Sequence, residues 1–109
     1  MPTFTLSRKA KADLRAIARY TERRWRREQR NDYVRAFDQA FHRLAEQPEL
    51  GRPCEDVRAG YRQQPQGSHL IFYQTEGGAV HIVRILHKRM MPHEHFSRVA
   101  QTKPISQPD

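Results

Sequence analysis

The sequence is poor in cysteine, poor in acid relative to base, and without any long apolar run. Its one cysteine, Cys54, cannot form an internal disulfide, which fits a reducing compartment and excludes a disulfide-stapled scaffold. No apolar stretch approaches the roughly 20 residues that a bilayer span requires. The first 20 residues are broken by Arg8, Lys9, Lys11, Asp13, Arg15 and Arg19, so no secretory h-region is expected there. The expected location is cytoplasmic, with no membrane partner. Only 37% of the 109 residues are apolar, and the mean hydropathy is −0.95. That is enough for one core built from few residues, and it excludes two independent domains. Acids number 12 against 20 lysines and arginines, a formal charge of +8, which points to partners bearing phosphate or carboxylate.

The densest positive stretch is Arg23-Arg24-Trp25-Arg26-Arg27-Glu28-Gln29-Arg30, five arginines around a single tryptophan. Guanidinium groups pair with phosphates and aromatic rings stack on bases, so nucleic-acid contact is one reading. An acidic protein partner is another. The simplest reading is structural: the arginines form the solvated end of a helical hairpin and Trp25 is a core anchor, because it continues an apolar helical face.

That face is visible in the spacing. Thr3 to Leu6 is short and β-rich, and Ser7 stands where an N-cap belongs. Ala10, Leu14, Ile17, Ala18, Thr21 and Trp25 then recur at helical intervals, and Tyr33, Phe37, Ala40, Phe41, Leu44 and Ala45 form a second such set. A tight turn near Arg26 to Glu28 would make the two sets a hairpin able to cover a sheet. Gln47 to Pro53, with two prolines and a glycine, ends the second helix.

The next segments read as strands. Tyr61 to Gln64 is a short polar strand limited by Pro65 and Gly67, His69 to Thr75 is a strong strand, Gly77-Gly78 is a hairpin turn, and Ala79 to His87 is the strongest strand. This last strand is apolar on both faces, with Val80, Ile82 and Leu86 expected on one and Val83 and Ile85 on the other, so it belongs mid-sheet. The hairpin covers one face; the C-terminal segment or a partner would cover the other. The expected fold class is α+β in the order β-α-α-β-β-β, a helical hairpin on a small, mostly antiparallel sheet with a short C-terminal segment. One domain is expected over residues 1–98, with a disordered tail over 99–109.

This order, with Ser7, Ala10, Asp13 and Leu14 on the first helix, the Trp25, Gln29, Tyr33 spacing, and Gly51-Arg52-Pro53, resembles the RelE/ParE family of bacterial toxins. Val57 to Arg62, Gly67-Ser68-His69, Ile71-Phe72-Tyr73 and the closing Ile82 to Met90 segment extend the resemblance, which is strongest to the ParE branch. It implies a RelE/ParE-like fold and the toxin component of a type II toxin-antitoxin system. It also implies a ParD-like ribbon-helix-helix antitoxin whose C-terminal segment wraps the toxin in a hetero-oligomer. ParE toxins inhibit DNA gyrase and so block replication, as protein inhibitors and not enzymes. The RelE branch instead cleaves mRNA on the ribosome, and that is the alternative.

A metal-free RNase needs a base for the ribose 2′-hydroxyl, a cation for the phosphate and an acid for the leaving oxygen. Arg62, Arg84 and His87 are the candidates here, with His69 as a second possible proton carrier. The stretch from Tyr61 to Leu86 has no lysine, however, and no tyrosine follows Tyr73, which departs from the RelE set. Arg84 also has a structural reading, pairing with Asp13 or Asp56, and His87 can cap its strand. For target contact the candidates are Arg58, Arg62, Arg84, His87 and Arg89. For the antitoxin they are the apolar anchors Phe72, Ile82, Val83, Ile85, Met90 and Phe96, unless the last two close the core with Met91. No cofactor and no metal are expected. The histidines in His87 and His93-Glu94-His95 invite zinc, but on a helix His93 and His95 would point about 200° apart.

Overall fold

The structure is a computed structural model, described over residues 3–90. Two helices pack on a mixed five-stranded sheet. In chain order the elements are β1 (Phe4–Leu6), α1 (Arg8–Arg24), α2 (Arg27–Glu46), β2 (Arg52–Pro53), β3 (Arg62–Gln66), β4 (His69–Glu76) and β5 (Ala79–His87). The sheet order is β1-β5-β4-β3-β2, antiparallel except for β1, which runs parallel to β5. The α+β class holds, with one strand more than expected, the two-residue β2.

Ser7 caps α1 as its chemistry requires: its hydroxyl oxygen accepts from the Ala10 N–H at 2.9 Å. The same hydroxyl donates to Val83 O at 2.8 Å, so one side chain starts the helix and ties it to β5. The helices bury Ala10, Ile17, Phe37, Ala40, Phe41 and Leu44 against Ile71, Tyr73, Val80, Ile82 and Ile85. Each fully buried Phe, Leu or Ile in this layer contributes about 1.5–3 kcal/mol.

Trp25 is not part of that core; it is 61% exposed. The helix stops at Arg24, and Trp25 is the C-cap with ψ of −89°, so the face that the spacing extends to position 25 ends at Thr21. The break falls at Trp25-Arg26, one residue earlier than expected, with Arg26 fully extended before α2.

The face assignment in β5 also needs correcting. Val80 and Ile82 do face the helices, but Ile85 joins them, while Leu86 and Val83 lie with the opposite cluster. The cause is a bulge: Tyr73 pairs with Ile82 but Phe72 pairs with Arg84, so Val83 is an extra residue that switches the alternation. Among the described residues, the opposite face is covered in part by a loop, with Leu70 and Val83 only partly buried there. Cys54, Val57 and Tyr61, from the loop between β2 and β3, close over Phe72 and Leu86 as a second small core. Burial, with the nearby Asp56 carboxylate second, pushes the Cys54 thiol up to about 11, so it stays protonated.

β3 runs through Pro65, which pairs with Leu70, and does not end before it. β2 reaches only Arg62 and Gln63, so Pro65 lies on the outer edge, where a missing donor is tolerated. No described helix is long and apolar enough to cross a membrane. The expected 99–109 tail lies outside the described residues.

Candidate functional site

The basic candidates do not converge. β1 ends opposite Ile82, and beyond it the free edge of β5 is met by Asp13 from α1. Its carboxylate accepts from the Ile85 N–H at 2.9 Å and from Arg84 Nε and Nη2 at 2.8 and 3.0 Å. Both side chains are 16% exposed, so this is a bidentate, largely buried pair in which Asp13 continues the edge pairing that β1 abandons. Arg62 is committed elsewhere. It donates to Gly51 O at 2.5 Å and more weakly to Glu49 O, on the loop that Tyr73 also holds. The buried Tyr73 hydroxyl donates to Pro48 O at 2.6 Å and accepts from the Gly51 N–H at 2.8 Å. Burial raises the Tyr73 pKa above its ordinary value, in opposition to the Gly51 contact and to Arg62.

Arg58 lies 5.8 Å from the Tyr61 ring centroid, half-buried. His87 and Arg89 are brought together in one turn: the Arg89 N–H donates to His87 Nδ1 at 3.0 Å, and the Met90 N–H donates to His87 O. His87 thus closes the end of β5, and the exposed Arg89 side chain follows it.

A cluster that the spacing did not reveal sits at the same end of the sheet. His69 and His87 face each other across β4 and β5 with ring centroids 5.2 Å apart, and Tyr33 Oη lies 2.9 Å from His69 Nδ1. Burial, with His87 second, lowers the His69 pKa to about 4 against the smaller opposing effect of Asp13. His69 is therefore neutral at pH 7. Gly67 makes room for this contact: its φ is +59°, and a Cβ there would lie 2.9 Å from Tyr33 Oη. A cavity of about 320 Å³ connects His69 and His87 with Tyr20, Arg24 and Trp25 at the hairpin tip.

The model of a family described as the ParE toxin of the type II toxin-antitoxin system, parDE, matches residues 4–92. The chain belongs to the ParE toxin family. It is 45% identical over 96 residues to Toxin ParE1 of Caulobacter vibrioides, covering 88% of this chain and 99% of that protein. It is 41% identical to Toxin ParE1 of Mycobacterium tuberculosis, over 80% of this chain and 90% of the relative. Among solved structures, a chain of the chromosomal ParDE system from P. aeruginosa superposes with a TM-score of 0.71 at 24% identity, over 80% of this chain and 96% of that one. A chain of the RelBE2 toxin-antitoxin complex from Mycobacterium tuberculosis gives 0.61 at 22% identity, over 81% and 100%. Both similarities speak for the fold of this ParE-family chain.

Of the apolar anchors expected to meet an antitoxin, Phe72 and Ile82 are fully buried and Ile85 is 2% exposed. Among the described residues they fill the two cores and offer no open groove, because the 54–61 loop and the helices already cover them. Val83 is half-buried and Met90 is exposed, while Phe96, Met91 and His93-Glu94-His95 lie outside the described residues. Among the described residues no three potential metal ligands cluster. The Tyr33, His69 and His87 grouping had one sequence signal, a histidine at each end of a hairpin, which the turn register alone does not bring opposite each other.

Proposed function

We propose that this ParE-family toxin binds DNA gyrase and blocks it as a protein inhibitor, so that DNA replication fails, and that a ParD-like antitoxin restrains it in a hetero-oligomer. The Asp13–Arg84 pair carries the reading. A metal-free RNase must present cations to the pentavalent phosphate, and here the Asp13 carboxylate occupies the Nε–Nη2 edge of a largely buried Arg84 and offsets its charge. Arg62, the other cation of that reading, is held through its Nη1 by the Glu49 and Gly51 carbonyls. The relatives are named ParE toxins, which supports the ParE branch, whose resemblance implies that target. Arg58, His87 and Arg89 are the contact residues, and Arg62 and Arg84 shape the surface that presents them. The antitoxin meets the partly exposed Val83 and Met90 with an acidic, amphipathic segment suited to a +8 chain.

Purified gyrase titrated with the full chain tests this reading. Loss of supercoiling, relieved by the antitoxin, is the expected result. Unaffected supercoiling at saturating toxin, together with toeprints showing cut translated mRNA, would replace it with the RelE-type endonuclease.

A further inference from the structure

We propose that the tip of the α1–α2 hairpin binds single-stranded nucleic acid, stacking bases on Trp25 and Tyr20 while Arg23, Arg24 and Arg26 hold phosphates. This goes beyond gyrase inhibition and does not depend on it.

Trp25 and Tyr20 are 61% and 56% exposed, the two most exposed large apolar side chains of the described residues. Neither supports the core, since α1 buries only Ala10, Ile17 and Thr21. Together with Arg23 and Arg24 they alone line an open cavity of about 470 Å³. The Arg24 guanidinium lies 5.9 Å from the Trp25 ring centroid, so cation and π-face are presented side by side. Charge at the tip is uncompensated. Glu22 is engaged by Arg27 and Arg30, and among the described residues Arg23, Arg24 and Arg26 make no ion pair.

An open ring face beside unpaired guanidiniums matches what a nucleotide carries, a π-face joined to a phosphate. An acidic helical peptide would need apolar anchors repeating at i, i+3 or i+4, and i+7 along a groove. The tip offers two exposed rings bordered by arginines; the next ring, Tyr33, is half-buried and its hydroxyl already meets His69. Duplex DNA keeps its bases stacked on one another, so the rings favour a single strand.

The chain has a single tryptophan, which makes the site its own reporter. Titrating the full chain with a 12-nucleotide oligothymidylate should quench Trp25 fluorescence saturably. Log affinity should fall against log salt with a slope of about −2, from three phosphate contacts at about −0.7 each. By anisotropy of a labelled strand, Trp25→Ala and Tyr20→Ala should each weaken binding about tenfold, and Trp25→Phe much less. Both side chains are exposed, so the variants should keep the wild-type circular dichroism and melting. Binding without quenching, Trp25→Ala binding as tightly as wild type, or equal quenching by polyglutamate would each overturn the proposal; the last would mark the tip as an acidic-peptide site.

Discussion

His69 stands directly opposite His87 in the β4–β5 ladder, and only one extra residue, Val83, puts it there. Continuing the register set by the Gly77-Gly78 turn would place His69 against Leu86. The bulge advances β5 by one position, pairs the two imidazoles edge to face, and leaves His69 within reach of Tyr33.

This pairing predicts a pH-dependent stability. The folded His69 pKa is lowered to about 4 from 6.5. Above pH 6.5 both states are neutral and the contribution is complete. As pH falls from 6.5 towards 4 the unfolded chain takes the proton first, so stability is lost through that window. After allowance for solvent screening of a half-buried ring, the loss is on the order of 2 kcal/mol. Urea unfolding of wild type and His69→Gln at several pH values checks it: the stability difference between them should change across this window. Parallel curves would remove His69 as the source.

Asp13 should matter more to stability than any exposed acid. Asp13→Ala strands Arg84 and leaves the Ile85 N–H without its acceptor, at a cost of about 2–3 kcal/mol given the remaining solvent contact. Arg84→Met, which removes the charge but keeps the stem packing, should cost less. Chemical denaturation of both variants measures the order, and equal small losses would show the pair to be an ordinary surface bridge.

Gly51 should tolerate no side chain. A Cβ there would lie 2.6 Å from Tyr73 Oη and 2.8 Å from Gln63 O. Because one of these neighbours is backbone, Gly51→Ala should cost about 2–3 kcal/mol. Tyr73→Phe leaves the Gly51 N–H and Pro48 O unpaired and should cost about 1–3 kcal/mol. Thermal melts of the single and double variants should show less than additive losses, since both act on one loop.

Arg89 should separate function from folding. Its side chain is exposed and, among the described residues, only its backbone N–H is bonded, so Arg89→Ala should leave the melting temperature within about 2 °C of wild type. The same variant should weaken gyrase inhibition severalfold in a supercoiling titration. Full potency would exclude Arg89 from the contact surface.

Much of the molecule is legible from local chemistry. Ser7 caps α1, the two apolar sets become the helices, Gly77-Gly78 turns β4 into β5, and Asp13 stands among the residues of the family resemblance. The errors are informative. Trp25 follows the helical spacing but falls after the helix has ended, because periodicity marks a face and not its last residue. Phe72, Ile82 and Ile85 are apolar enough to anchor a partner, yet the fold uses them first.

The sequence by itself determined the class of the fold and the positive surface, because these depend on periodicity, turn residues and composition, which act over short distances; the family was legible only as a resemblance carried by particular motifs in order. Tertiary structure alone decided which arginines are free. Arg84 and Arg89 are equally basic in the sequence, but the chain brings Asp13 from another element to one of them and leaves the other in solvent. It also decided which faces are open, since a single bulged residue redirects the side chains after it and the distant 54–61 loop covers Phe72 and Leu86, which alternation would leave exposed.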